Sequence, residues 1–212
     1  MIPRFPVYLF DVDGTLLESA ADICGAIQEV LSTTERKDVP FEFLQRYIGR
    51  HLLDLFQDIF PDQPPETYDV LIQRYRAIYP ARDHRLTKLY PGVAETLAAL
   101  GGRKATVTTK GTPTTRTVLE KFGLLQYFDH VQGTDGFPHK PAPDVVLASM
   151  RALDARPQDC LLVGDSAPDM EAGRRAGVKI CAVLYGYGCA EELRRWEPDY
   201  IISDIRELAE AT

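Results

Sequence analysis

Long apolar runs are missing from this sequence. No segment is long and apolar enough to span a membrane, so no membrane association is expected. The opening Met1-Ile2-Pro3-Arg4-Phe5-Pro6 does not read as a signal peptide, because the apolar run that follows is short and ends in Asp11. Cysteine is scarce, and Cys24, Cys160, Cys181 and Cys189 show no close pairing of the metal-binding kind. They read as reduced thiols of a cytoplasmic protein. His51, His84, His130 and His139 lack zinc-like spacing, and none is assigned to catalysis. Basic residues are in the minority, 24 Lys and Arg against 31 Asp and Glu, for a formal net charge of -7. A nucleic acid is therefore not an expected partner, since such proteins carry a basic face. Small anionic substrates stay possible, because a local cluster of donors outweighs net charge at close range. Internal repeats and low-complexity tracts are absent as well.

What is present is a chain of 212 residues, 45% hydrophobic, long enough for a sizeable core with or without an inserted small domain. Its organising stretch is Phe10-Asp11-Val12-Asp13-Gly14-Thr15. Val7 to Phe10 form an unbroken apolar run that predicts a short buried strand, delivering the Asp11 carboxylate at its C-terminal end. Asp13 follows two residues later, and Gly14 lets the backbone turn sharply and approach an anion. Two acids and a glycine at a strand end stand where open parallel sheets bind ligands. A cap or turn needs only one such acid.

Three later stretches carry similar chemistry. Lys104 to Thr109 is an apolar strand ending in the hydroxyls of Thr108 and Thr109. His139-Lys140-Pro141-Ala142-Pro143-Asp144 fixes a lysine between a strand and a helix. Cys160 to Asp165 is a third apolar strand, and Asp165 is followed four residues on by Asp169. Between Leu16 and Lys88 the periodicity is helical without strand-like alternation: Ser19 to Leu31, Phe41 to Ile48, Leu52 to Phe60, then a helix from Pro64-Pro65 with Tyr68, Leu71, Ile72, Tyr75 and Ile78 inward. From Tyr90 strands and helices alternate, with His130 to Gly133 read as a strand between Lys104 to Thr109 and Cys160 to Asp165, which predicts an α/β fold with a mostly parallel sheet and helices on both faces. A further apolar segment, Tyr200-Ile201-Ile202-Ser203, lies near the end. The connections at 16–19 and 83–91 are hinge candidates.

These four motifs, in this order and spanning nearly the whole chain, resemble the haloacid dehalogenase superfamily of phosphohydrolases. The resemblance implies a Rossmann-like core (1–15 and 90–212) with strand order 5-4-1-2-3, and a helical cap (16–89) inserted after the first strand. It implies Asp11 as nucleophile, forming an aspartyl phosphate, and Asp13 as the acid that protonates the leaving alkoxide and then deprotonates water. Asp13 should then enter protonated while Lys140 and a metal keep Asp11 ionised. The implied cofactor is Mg²⁺, bound by Asp11, Asp165 and the backbone carbonyl of Asp13, with Asp169 supporting through water or by orienting Lys140. Gly14, Thr108, Thr109 and Lys140 are the implied phosphate-binding set. Relatives often read Thr-Asn-Lys where this chain has Thr108-Thr109-Lys110. The hydroxyl of Thr109 donates one hydrogen bond but lacks an amide's two-ended reach.

The expected substrate is a small phosphorylated metabolite, best matched by 2-phosphoglycolate, acted on by a monomer or homodimer. The cap must supply specificity, and in Tyr47-Ile48-Gly49-Arg50-His51 the guanidinium of Arg50 is the candidate clamp for a substrate carboxylate, with Arg46 weaker. Alternatives are a β-phosphoglucomutase-like mutase, a pyrophosphatase or other small phosphomonoesterase, and, more remotely, a non-catalytic phospholigand-binding module. A dehalogenase is disfavoured by Asp13. A phosphonatase would need a cap lysine, and only Lys37 and Lys88 are on offer.

Overall fold

The computed structural model describes residues 2–210. The chain enters through β1 (Val7–Phe10) and a two-residue β2 (Leu17–Glu18), then runs through four helices: α1 (Ala20–Leu31), α2 (Phe41–Gln45), α3 (Leu52–Ile59) and α4 (Pro65–Ala81). It returns through β3 (Lys88–Leu89) and continues as α5 (Val93–Ala99), β4 (Arg103–Thr106), α6 (Thr112–Lys121), α7 (Asp144–Ala152) and β5 (Cys160–Gly164). The last elements are α8 (Ala167–Ala176), β6 (Lys179–Val183), α9 (Ala190–Arg195) and β7 (Tyr200–Ile202).

Five strands form one parallel sheet in the order β4-β1-β5-β6-β7. Successive side chains of a strand point to opposite faces, and β1 shows the consequence. Tyr8 and Phe10 pack with Leu97, Val118, Leu119 and Ile205 on one face, while Val7 and Leu9 pack with Val145, Val146, Met150 and Met170 on the other. Helices therefore cover both faces, and β1 reads as apolar throughout because nothing in it meets water. A third cluster lies apart from the sheet, where Ile23, Ile27, Leu44, Leu55, Phe56 and Leu71 join α1 to α4.

Three details depart from the sequence reading. Residues 130–133 form no strand; a single bridge joins Ala105 to His130. There the Thr106 hydroxyl replaces the ladder, donating to the Gln132 carbonyl at 2.9 Å and accepting from its N–H at 2.8 Å. The expected order 5-4-1-2-3 thus holds for its first four positions, and the opposite edge gains β7, a strand of three residues too short to claim a place from periodicity alone. Strand structure also exists within 16–89, since β2 pairs antiparallel with β3, Leu17 with Leu89 and Glu18 with Lys88. These pairs tie together the two connections read as hinges, and two residues per strand leave no alternation to detect.

Candidate active site

The ladder of β1 continues one step beyond the strand, with the Asp11 N–H donating to the Val163 carbonyl at 2.9 Å. That bond sets Asp11 at the C-terminal edge beside β5, which ends just before Asp165. From β1 the chain goes to β4 on one side and returns to β5 on the other. Asp11 and Asp165 consequently face each other at the switch point of the sheet. A capping box starts α8: the Ser166 N–H donates to Asp169 Oδ2 at 3.0 Å, and the Ser166 hydroxyl donates to the same oxygen. Asp169 is thereby fixed with Oδ1 free to receive Lys140 Nζ at 2.5 Å. The same ammonium donates to Asp11 Oδ1 at 2.8 Å.

Asp11, Asp165 and Asp169 bring one carboxylate oxygen each within 4.8 Å of one another, all buried. Burial raises Asp11 to about 7, only partly opposed by Lys140 and reinforced by Asp169. Lys140 alone therefore does not hold Asp11 in the ordinary carboxylate range. Burial, then Asp11 and Asp169, also pushes Asp165 well above it. Burial works against the Lys140 ammonium, but its two carboxylate partners outweigh that and hold it above its usual value. Such a set asks for a further cation. Asp11 Oδ2 is buried with no hydrogen-bond partner among the described residues, and every donor atom is oxygen, the ligand type that Mg²⁺ takes. The residues present fit the metal.

Gly14 makes room for this arrangement. Its φ of +90° suits glycine, and a Cβ there would lie 2.2 Å from Asp165 Oδ2. Asp165 is further held by the Thr15 hydroxyl at 3.1 Å and the Tyr187 N–H at 2.8 Å. The Gly14 N–H is already engaged, donating to the Leu17 carbonyl at 2.8 Å.

Asp13 turns towards a cavity of about 560 Å³ between the α1–α4 cluster and the loops of the sheet. Ser19 Oγ donates to Asp13 Oδ1 at 2.5 Å, and Lys110 Nζ pairs with Oδ2. Lys110 also sits over the Tyr79 ring, 4.8 Å from its centroid. Ile23, Ile27, Leu55 and Tyr75 give the cavity an apolar wall, while Arg50, Arg76, Lys110 and Thr109 bring polar groups to it. Thr108 is buried, and its hydroxyl accepts from the Lys110 N–H at 3.3 Å. Arg50 lies on the cavity rim with its guanidinium 3.9 Å from Glu192. Arg46 is not among the lining residues. His51 stacks on His139, centroids 3.8 Å apart, so the loop carrying Arg50 rests directly on the segment carrying Lys140.

The acids, Gly14, Lys140 and Thr109 are thus brought to one region, and Arg50 to its edge. Lys110, Ser19 and Tyr187 were not expected there. Lys110 stood in the second motif and could have been considered. Ser19 and Tyr187 carry no motif signal, being joined to the site only through folding.

A family model described as haloacid dehalogenase-like hydrolase matches residues 8–183. The chain is 34% identical to a phosphoglycolate phosphatase of Aquifex aeolicus, covering 95% of this chain and 94% of that one. It is 31% identical to pyrophosphatase PpaX of Halalkalibacterium halodurans, covering 94% and 93%. Among solved structures, a hydrolase of the haloacid dehalogenase-like family from Streptococcus pneumoniae superposes with a TM-score of 0.88 over 96% of both chains, and at 23% identity this likeness speaks for the fold alone.

Proposed function

The chain belongs to the haloacid dehalogenase-like hydrolase family, and from that premise we propose a phosphatase that hydrolyses a small phosphate monoester, with 2-phosphoglycolate as the best candidate. The observation that carries the reading is Asp11 itself: a buried carboxylate at a strand end, held on one oxygen by Lys140 and free on the other, beside Asp165 and with Asp13 two residues away. Similarity to phosphoglycolate phosphatases and to a pyrophosphatase supports a small, highly charged substrate.

Phosphate esters resist nucleophiles because the phosphoryl group is itself anionic, so the site must neutralise charge and align the attack. Asp11, Asp165 and the backbone carbonyl of Asp13 would hold Mg²⁺, whose charge offsets that of the phosphoryl oxygens. Asp11 attacks phosphorus and the ester P–O bond breaks. The departing alkoxide takes a proton from Asp13. Water then attacks the aspartyl phosphate, gives its proton to Asp13, and phosphate leaves with Asp11 regenerated. Lys140 and Thr108 stabilise the transferring group, and Asp169 orients Lys140 through their ion pair. Residues 16–89 act as the cap over the 1–15 and 90–212 core, hinged at the β2–β3 pair. Arg50 would leave Glu192 to clamp a substrate carboxylate. Cys24, Cys160, Cys181 and Cys189 are all free thiols, which suits a cytoplasmic enzyme.

The test is phosphate release from 2-phosphoglycolate beside glucose 1-phosphate, pyrophosphate and an aryl phosphate, with Mg²⁺ or chelator and with Asp11→Asn as control. We expect release that needs Mg²⁺ and Asp11, fastest for 2-phosphoglycolate. No release from any ester, or full activity in Asp11→Asn, would overturn the proposal. An isomerised sugar phosphate instead of free phosphate would reassign the chain as a mutase.

A further inference from the structure

Tyr187 lies on the loop between β6 and α9, yet among the described residues it is the one hydrophobic side chain from outside 20–79 packed against the α1–α4 cluster. Its phenolic oxygen accepts from the Ser19 N–H at 2.6 Å and the Ala20 N–H at 2.9 Å. These are backbone donors at the start of α1, where a helix has no acceptor of its own to offer. The residue at the N-cap usually spends its hydroxyl on its helix. Ser19 is the N-cap of α1 and makes no such bond; its hydroxyl goes to Asp13 Oδ1 instead.

The other end of Tyr187 is tied to the acidic cluster. Its N–H donates to Asp165 Oδ2 at 2.8 Å. The flanking glycines leave that loop no slack: a Cβ on Gly186 would lie 2.3 Å from Asp165 Cβ, and one on Gly188 would lie 1.9 Å from the Asp165 carbonyl oxygen. Tyr185 adds a second tie, its hydroxyl donating to the Thr15 carbonyl at 2.9 Å. One loop therefore registers Asp165, the turn after Asp11 and the first residues of α1 against one another.

We infer that Tyr187 is a positioning residue: its hydroxyl anchors the start of α1 and so holds the Ser19 hydroxyl on Asp13. This rests on the reading of Asp13 as the acid and base of the reaction. Ser19 fixes one Asp13 oxygen only while α1 begins at this height above Asp165. If the anchor is lost, the Ser19 side chain is free to turn back onto its own helix, and Asp13 loses a bond that aims it.

The experiment is a double-mutant cycle in the intact enzyme. Tyr187→Phe keeps the ring in its cluster and removes only the hydroxyl. We expect it to lower kcat for phosphate release about tenfold, the loss of one hydrogen bond to a charged group, with KM changed less than about twofold. Ser19→Ala should show a similar loss, and the double variant should be no slower than Ser19→Ala alone, because both changes act through one contact. Hydrogen exchange at the Ser19 and Ala20 amides should quicken in Tyr187→Phe. Losses that multiply in the double variant, or unchanged exchange at those two amides, would overturn the inference. Wild-type protein without turnover on any phosphate ester would refute the phosphatase reading instead, and the exchange measurement would then decide by itself whether the anchor exists.

Discussion

Replacing Lys140 by methionine keeps the length of the side chain and deletes the one ammonium that faces both Asp11 and Asp169, at 2.8 and 2.5 Å. The residue is 2% exposed, so water does not make good the loss. Breaking a buried pair from one side costs about 3–5 kcal/mol, which for a chain of this size lowers Tm by roughly 10 °C. The cost must depend on pH, and its sign follows from the partners. Lys140, held above its ordinary range, does not titrate between pH 5 and 8. Asp11 is raised to about 7, so the folded state keeps a proton that the unfolded chain gives up near 3.8, and stability falls as pH rises through that interval. Removing Lys140 takes away the main influence that lowers Asp11, so in Lys140→Met the fall continues beyond pH 7. At pH 5 the deleted ammonium would not have faced a charged Asp11; at pH 8 it would have. Thermal melts of metal-free wild type and Lys140→Met at pH 5 and pH 8 should show a Tm gap clearly larger at pH 8. A gap that is equal at both pH values, or larger at pH 5, would refute the electrostatic account. Lys140→Arg, which keeps the charge, should narrow the gap.

Further outcomes follow from the same geometry. Gly14→Ala forces a Cβ into the Asp165 carboxylate at a positive φ, and we expect kcat to fall about 100-fold, as a 1 Å displacement at the reacting centre does; turnover within threefold of wild type would contradict the packing. Arg50→Ala should raise KM for 2-phosphoglycolate about tenfold and leave an aryl phosphate unaffected, since one charge-assisted contact is at stake; an unchanged KM would remove the clamp. Burial, then His51 and Arg76, lowers His139 to about 4, so its contribution to stability is present above the ordinary value of 6.5 and lost as pH falls towards 4. Melts at pH 7 and pH 5 should differ less in His139→Gln than in wild type, and equal differences would show that the stacked pair does not sense pH.

The parts of this fold that were legible from the sequence are those in which local pattern and tertiary environment agree. Strands β1 and β5 are buried on both faces and read as unbroken apolar runs, and α1 and α4 show their inner stripes because only one face is covered. Legibility failed where pairing was short or made by a side chain. At 130–133 the Thr106 hydroxyl takes over a strand's bonds, and a β-branched residue in a strand gives no sign of that in advance. At β2–β3 two residues on each side pair across 70 positions of sequence. That pairing comes from the closure of a helical insert, and periodicity has no access to it.

The site divides along the same line. Asp11, Asp13, Asp165, Asp169 and Lys140 each follow or precede a buried strand or helix at a fixed offset, so the topology that carries those elements also carries the side chains together. The groups that aim them have no such offset. Tyr187 reaches the start of α1 across 168 residues and Lys110 reaches Asp13 across 97. The first exists only when the helical insert stands at one particular height over the sheet; the second joins two loops of the core. The first reports a relation between two bodies, whereas a motif reports a relation within one. Asp13, the acid and base of the proposed reaction, is the one whose two oxygens are held by both kinds of neighbour: Ser19 at the start of the insert and Lys110 on the sheet side. Its alignment therefore depends on how the insert sits, while Asp11 and Asp169 are held by Lys140 from within the core. Changes confined to the insert should accordingly disturb Asp13 before they disturb Asp11.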